Sequence, residues 1–376
     1  WYRSRGLGDV YKRQAGEHRF RHLMKAFFGS RSIGIPLGWG LSQGAGTLLV
    51  ASNAWFLSGL SSSPLINTLL PVFGTLPILF SFRRDVRAYG LEILSACVLI
   101  VCAFFQASGA VSDEGLVIAV LLGALIFGLG SELSQLPIQR QLMGFSGHSI
   151  KHFRLASEAG ALLGFLLTAL TFPASRQFPI ALLLLLPLLI WSPRRRTEPS
   201  DVNNNPPPHD WICALQGALF GALFGLLPLW VRVVDGGKCF DFAMVLLAFG
   251  LGRTACTFAP AIHSAWRYIL MGVCLAFAVL APGWLALIPF FPLGVLAAGS
   301  DSALVSLLAE RGDPSLCWQI LLRSSALGGL IGALGIGVIT QILSLSIAIP
   351  CLIVGFAVMA WIIGRVSGDS SNPRPA

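Results

Sequence analysis

A chain of 376 residues that is 55% hydrophobic and 11% charged, with a mean hydropathy of +0.75, cannot cover a water-facing surface. Its solvent must be lipid, which excludes an ordinary soluble domain. The net charge of +9 does not point to nucleic acid, because the basic residues sit between apolar runs and form no basic–aromatic groove pattern.

Taken in order, the chain opens on WYRSRGLGDVYKRQ, which reads as translated adapter sequence; residues 1–14 are set aside, and Met24 is the candidate start. No cleavable signal is expected, since the apolar run from Ile33 is too long for one and lacks a cleavage site. Spanning helices need about 20 apolar residues. The hydropathy pattern predicts twelve, at 33–59, 65–82, 91–109, 116–139, 153–172, 178–192, 211–231, 240–259, 267–281, 285–308, 318–341 and 344–364. The breaks carry turn chemistry, as in Ser61-Ser62-Ser63-Pro64, Asp113-Glu114-Gly115 and Asp235-Gly236-Gly237. Each span must be helical, because lipid cannot satisfy an open backbone, and continuous apolar runs do not fit a barrel.

Between the sixth and seventh spans lies SPRRRTEPSDVNNNPPPHD, a polar, proline-stiffened stretch with nothing to bury. It divides the chain into an N-terminal segment at 1–32, a six-helix bundle at 33–192, a linker at 193–210, a second six-helix bundle at 211–366 and a tail at 367–376. Lys and Arg fall almost wholly on one side of the predicted topology; the other side holds Arg176, Arg232 and Lys238. This bias places both termini and the linker in the cytoplasm, with the protein in the cell inner (plasma) membrane.

Shifting the chain on itself by 169 residues brings Gly130-Ser131-Glu132 onto Gly299-Ser300-Asp301, Arg84 onto Arg253 and Arg154 onto Arg323. A shift of 173 brings Gln43-Gly44-Ala45 onto Gln216-Gly217-Ala218. The charged matches are informative because charge is rare in these segments. The expected fold is therefore all-α and membrane-embedded, with twelve helices in two pseudo-symmetric six-helix bundles. That duplication, the central linker and the two inside ends resemble the major facilitator superfamily over residues 30–366. The loop 82–90, FRRDVRAYG, matches the family's signature between its second and third helices only faintly. The resemblance implies two bundles that rock around a central cavity.

Charges inside lipid are costly and mark working positions. Arg84, Glu132 and Arg154 form one expected cytoplasmic triad, and Arg253, Asp301 and Arg323 its repeat. Both are read as a latch that holds the bundles together on that side. Glu158 is the candidate for proton coupling, with Arg154 at i,i+4 as its competing local partner. Near the midplane of the first, second, seventh and eighth helices the chain offers amides and aromatics and no fixed charge. Trp39, Gln43, Asn67 and Gln216 are the candidate cavity residues, and the resemblance assigns the first and seventh helices, which carry Gln43 and Gln216, to the cavity wall. An uncharged cavity favours a neutral, zwitterionic or amphipathic solute.

No nucleotide motif, catalytic constellation, metal site or cofactor site is expected, and the eight cysteines, lacking any C-x-x-C, read as small buried hydrophobes. The expected partners are a small solute and the lipid bilayer, with the protein a monomer. Two functions fit. The first is a secondary transporter working by alternating access; the second is a transporter-shaped assembly or pigment-binding factor that moves nothing.

Overall fold

In the computed structural model the described residues are 31–80, 89–144, 150–191, 209–234, 236–256, 262–281, 283–309 and 314–370. They form twelve α-helices and no strand: α1 (Arg31–Leu60), α2 (Pro64–Leu79), α3 (Tyr89–Ser108), α4 (Asp113–Gly144), α5 (Ile150–Leu170), α6 (Ala174–Trp191), α7 (Trp211–Val233), α8 (Cys239–Ala255), α9 (Ser264–Leu280), α10 (Phe290–Ala309), α11 (Pro314–Ile342) and α12 (Ala348–Ser370). One helix lies over each predicted segment. The tenth starts later than expected, because Gly283–Leu287 winds as a 3-10 turn ahead of Pro289. The arginine-rich loop 81–88 and most of the linker, 192–208, lie outside the described residues.

Local chemistry sets the helix starts. Ser63 caps α2 by accepting the Ile66 N–H at 3.4 Å, with Pro64 in the first helical position. Asp210 ends the linker and caps α7, accepting the N–H groups of Ile212 at 2.9 Å and Cys213 at 3.0 Å. Asp210→Ala should cost about 1 kcal/mol, the usual worth of such a cap, read as a lowered thermal midpoint in detergent; an unchanged midpoint would refute the assignment. Pro71 and Pro77 sit inside α2, and the Thr75 hydroxyl donates to the Pro71 carbonyl at 2.8 Å.

Among the described residues, α3, α4, α7, α11, α12 and the segment Leu285–Ala309 are long and apolar enough to cross a membrane; four further helices are apolar but shorter. Large apolar side chains point outward from the peripheral helices, among them Phe104 on α3, Ile118 on α4, Leu183 on α6, Phe277 on α9 and Val354 on α12. An outside this apolar suits hydrocarbon and no other solvent.

The packing has a repeat of its own. In the first six helices α1 packs on α5 and α6, and α3 on α4 and α6; in the last six α7 packs on α11 and α12, and α9 on α10 and α12. The halves meet through α2 on α11, matched by α8 on α5. Close approach needs glycine at a few of these contacts. A Cβ on Gly44 would lie 2.9 Å from the Gly160 carbonyl of α5, and one on Gly221 would overlap the Gly329 backbone of α11. The core divides likewise: one buried cluster draws on residues 39–185, and another on 212–363 together with Ala51 and Trp55 from α1.

Side-chain contacts group the turns at two ends. The turns after α1, α5, α7 and α11 gather at what we term the odd-turn end, joined by Ser63 to Gln341 at 2.8 Å and Gln177 to Cys239 at 3.8 Å. The even-turn end holds the start of α7, where the Asp210 N–H donates to Ser324 Oγ at 2.9 Å.

Candidate functional site

Asp301 on α10 is the centre of a polar cluster near the even-turn end. Its Oδ1 accepts from Gln216 Nε2 of α7 at 2.6 Å, and its Oδ2 accepts from Arg253 Nη1 of α8 at 3.2 Å. The Gln216 amide is held from the other side, where Tyr268 Oη of α9 donates to Gln216 Oε1 at 2.5 Å. Four helices of one half thus converge on one carboxylate, with Gln216 itself only 2% exposed. A carboxylate held by two donors, one of them charged, is a stable arrangement in a medium of low dielectric. Nearby, Arg267 Nη1 donates to the Gly299 carbonyl at 2.6 Å, two residues before Asp301.

Arg253 does more than pair within its own half. Its Nη2 stands 3.8 Å from Glu158 Oε1 on α5, across the boundary between the halves. One guanidinium thus faces two carboxylates, the nearer from its own half and the farther from the other. The pair is partly wet, with the Arg253 side chain 30% and the Glu158 side chain 19% exposed. Glu158 was expected to compete between proton coupling and a local partner, Arg154. Among the described side chains it faces Arg253, 95 residues further along the chain; the side chain of Arg154 lies outside them. Sequence spacing cannot disclose a contact of that kind.

The other candidate residues fall as follows. Arg323 at the even-turn end donates from Nη2 to the Leu79 carbonyl at 3.4 Å, a second link between halves. Arg84 lies outside the described residues, as does the side chain of Arg154. Glu132 is half-buried on α4. Trp39 is buried and donates from Nε1 to Ser157 Oγ of α5 at 2.7 Å. Asn67 is buried at the odd-turn end, where its Nδ2 donates to the carbonyls of Ser61 at 2.8 Å and Ser63 at 2.9 Å. Gln43 is half-buried on α1. The fold joins the cavity candidate Gln216 to a gate candidate, Asp301. Sequence reasoning passed over Tyr268. The signal for it was a hydroxyl among apolar residues one turn into a helix, beside Arg267, in a chain with four tyrosines.

No family model matches the sequence, and a comparison with curated proteins gives no match. Solved structures do resemble it. A point variant of the nucleoside transporter NupG superposes with a TM-score of 0.62 at 12% identity, over 89% of this chain and 99% of that one. NupG itself gives 0.60 at 11% identity, over 89% and 98%. A bacterial metal transporter gives 0.57 at 15% identity, over 88% and 98%. Each of these three solved structures is a transporter.

Proposed function

We propose that this chain, whose fold is that of the major facilitator transporters, is a secondary transporter that moves a small neutral, zwitterionic or amphipathic solute by alternating access. Its twelve helices act as two six-helix bundles, residues 33–192 and 211–366, that rock about the boundary between them. The protein sits in the inner (plasma) membrane as a monomer, with the even-turn end and both termini in the cytoplasm.

The observation that carries this reading is the divided loyalty of Arg253, at 3.2 Å from Asp301 and 3.8 Å from Glu158. Where the bundles are together on the cytoplasmic side, Arg253 serves both carboxylates. Where they part, Asp301, itself held by Gln216, keeps it in the second bundle and Glu158 is left facing water. Protonating Glu158 removes its attraction to Arg253 and eases that parting, which gives the proton a way to drive the cycle.

The test is uptake and efflux in proteoliposomes, with and without a pH gradient, over neutral and zwitterionic solutes that include nucleosides. Accumulation of at least one solute is expected; no movement of any in either direction would overturn the reading. Glu158→Gln should keep downhill movement of that solute and lose at least about tenfold of its proton-driven accumulation, the effect of an ion pair worth roughly 1.4 kcal/mol. Undiminished accumulation by Glu158→Gln would place the coupling proton elsewhere.

A further inference from the structure

The odd-turn end is closed by chemistry of a different kind. Arg232, in the last turn of α7, reaches out of its own half and onto α1. Its guanidinium carbon lies 4.1 Å above the centre of the Trp55 ring, and its Nη2 donates to the Trp55 carbonyl at 2.9 Å. Gly59, one turn further along α1, leaves the room: a Cβ there would stand 2.8 Å from Arg232 Nη1. The same indole stacks on Phe242 of α8, with ring centres 5.6 Å apart. Trp55 is 6% exposed, and with Ala51 it belongs to the buried core of the second half, although its helix belongs to the first.

We propose that Arg232 is a removable pin, which closes the odd-turn end by holding the Trp55 ring and carbonyl across the boundary between the halves. The proposal rests on the transport reading above and adds the residue that controls its second gate. Three features favour a contact built to be broken. No carboxylate lies within ion-pair distance of Arg232 among the described residues, so the pin draws its strength from a ring face and one carbonyl. Its Nε is buried and without a hydrogen-bond acceptor there, so the cost of taking the guanidinium out of water is only partly offset. The rest of α1 packs chiefly on its own half, on α5 and α6, so beyond the Trp55–Phe242 stack and the Ala51 contact little on α1 opposes its withdrawal from the second half.

The gating consequence is an asymmetry. The Arg253 latch contains two carboxylates that a proton can silence, whereas the described partners of the Arg232 pin cannot take up a proton. Opening the odd-turn end therefore waits on the bundles rocking.

The experiment uses full-length, cysteine-free protein in liposomes with spin labels at Ser62→Cys and Ser344→Cys, both exposed in turns at the odd-turn end of opposite halves. Pulsed dipolar spectroscopy then reads the populations of short and long label separations. Wild type should show both, with the short one dominant. Arg232→Ala should raise the ratio of long to short at least about tenfold, since a cation–π contact and a charged hydrogen bond are lost together. Trp55→Phe, which keeps the carbonyl and a weaker ring, should shift it less. Arg232→Lys should restore part of the closed population. Arg232→Ala matching a two-population wild type would overturn the pin and leave the transport reading standing. A wild type with one invariant separation at all pH values and in every solute would overturn both.

Discussion

Arg253→Ala should abolish coupled transport while leaving a folded protein, because it removes the cation that Asp301 and Glu158 share. Two carboxylates would then face each other across the boundary between the halves with no described guanidinium between them. Losing one partner of a fully buried pair costs about 3–5 kcal/mol. Here the three side chains are 19–30% exposed, so water screens part of that loss, and about 1–2 kcal/mol is the appropriate scale. That is still a shift of roughly five- to thirtyfold in the balance between conformations, away from the state closed at the even-turn end. Arg253→Lys keeps the charge but cannot span Nη1 and Nη2 contacts on two sides, so it should support Asp301 and lose Glu158. The measurement is solute accumulation under a pH gradient, set beside cysteine accessibility at the even-turn end. Wild-type accumulation by Arg253→Ala would remove the latch from the mechanism. A companion, Asp301→Asn, should be milder than Arg253→Ala, because asparagine still accepts from Gln216.

Gly252→Ala and Gly294→Ala should be among the most damaging single-methyl substitutions to stability. A Cβ on Gly252 of α8 would overlap the Phe291 carbonyl of α10, and one on Gly294 of α10 would overlap the Phe249 carbonyl of α8. The obstacle in both cases is backbone, which has no rotamer to escape through, so the two helices must separate. Overpacking of this sort costs about 1–3 kcal/mol, and in lipid the packing lost is a main force between the helices. A drop of several degrees in the thermal midpoint in detergent is expected for each. Gly335→Ala on α11 is the control: no atom lies within 4 Å of its added Cβ, and alanine is better than glycine in a helix by about 1 kcal/mol. If Gly252→Ala melted with or above Gly335→Ala, the close α8–α10 contact would be wrong. Because α8 carries Arg253 and α10 carries Asp301, this contact also fixes the 3.2 Å pair on which the latch depends.

Much of the fold could be read from residues alone, and specific residues show why. Ser63-Pro64 and Asp210 announce helix starts through capping, a purely local effect. The recurrence of Gly-Ser-acid at Gly130 and Gly299 pointed to related halves, and the packing pairs repeat in the same sense. The site was legible as a set of rare polar residues but not as a set of contacts. Glu158 has an arginine four residues before it in the chain, and local spacing gives no sign that it also faces one on α8. Gln216 was grouped with Gln43 by their shared glycine and alanine neighbours, yet its amide is committed to Asp301 and Tyr268. By sequence Arg232 is one of three basic residues on the side poor in Lys and Arg, and nothing near it in the chain announces Trp55, 177 residues earlier.

The amino-acid sequence by itself determined the solvent, the helical state, the number and approximate limits of the helices and the polar residues lipid would not tolerate without a reason. Those properties follow from what each segment of about 20 residues must satisfy on its own in hydrocarbon. Only the tertiary structure decided that Arg253 stands between Asp301 and Glu158, and that Arg232 crosses to Trp55. Such contacts depend on the rotation and depth of helices distant in the chain. An apolar helix can turn about its axis at little cost until glycine seams and polar partners on its neighbours fix the angle.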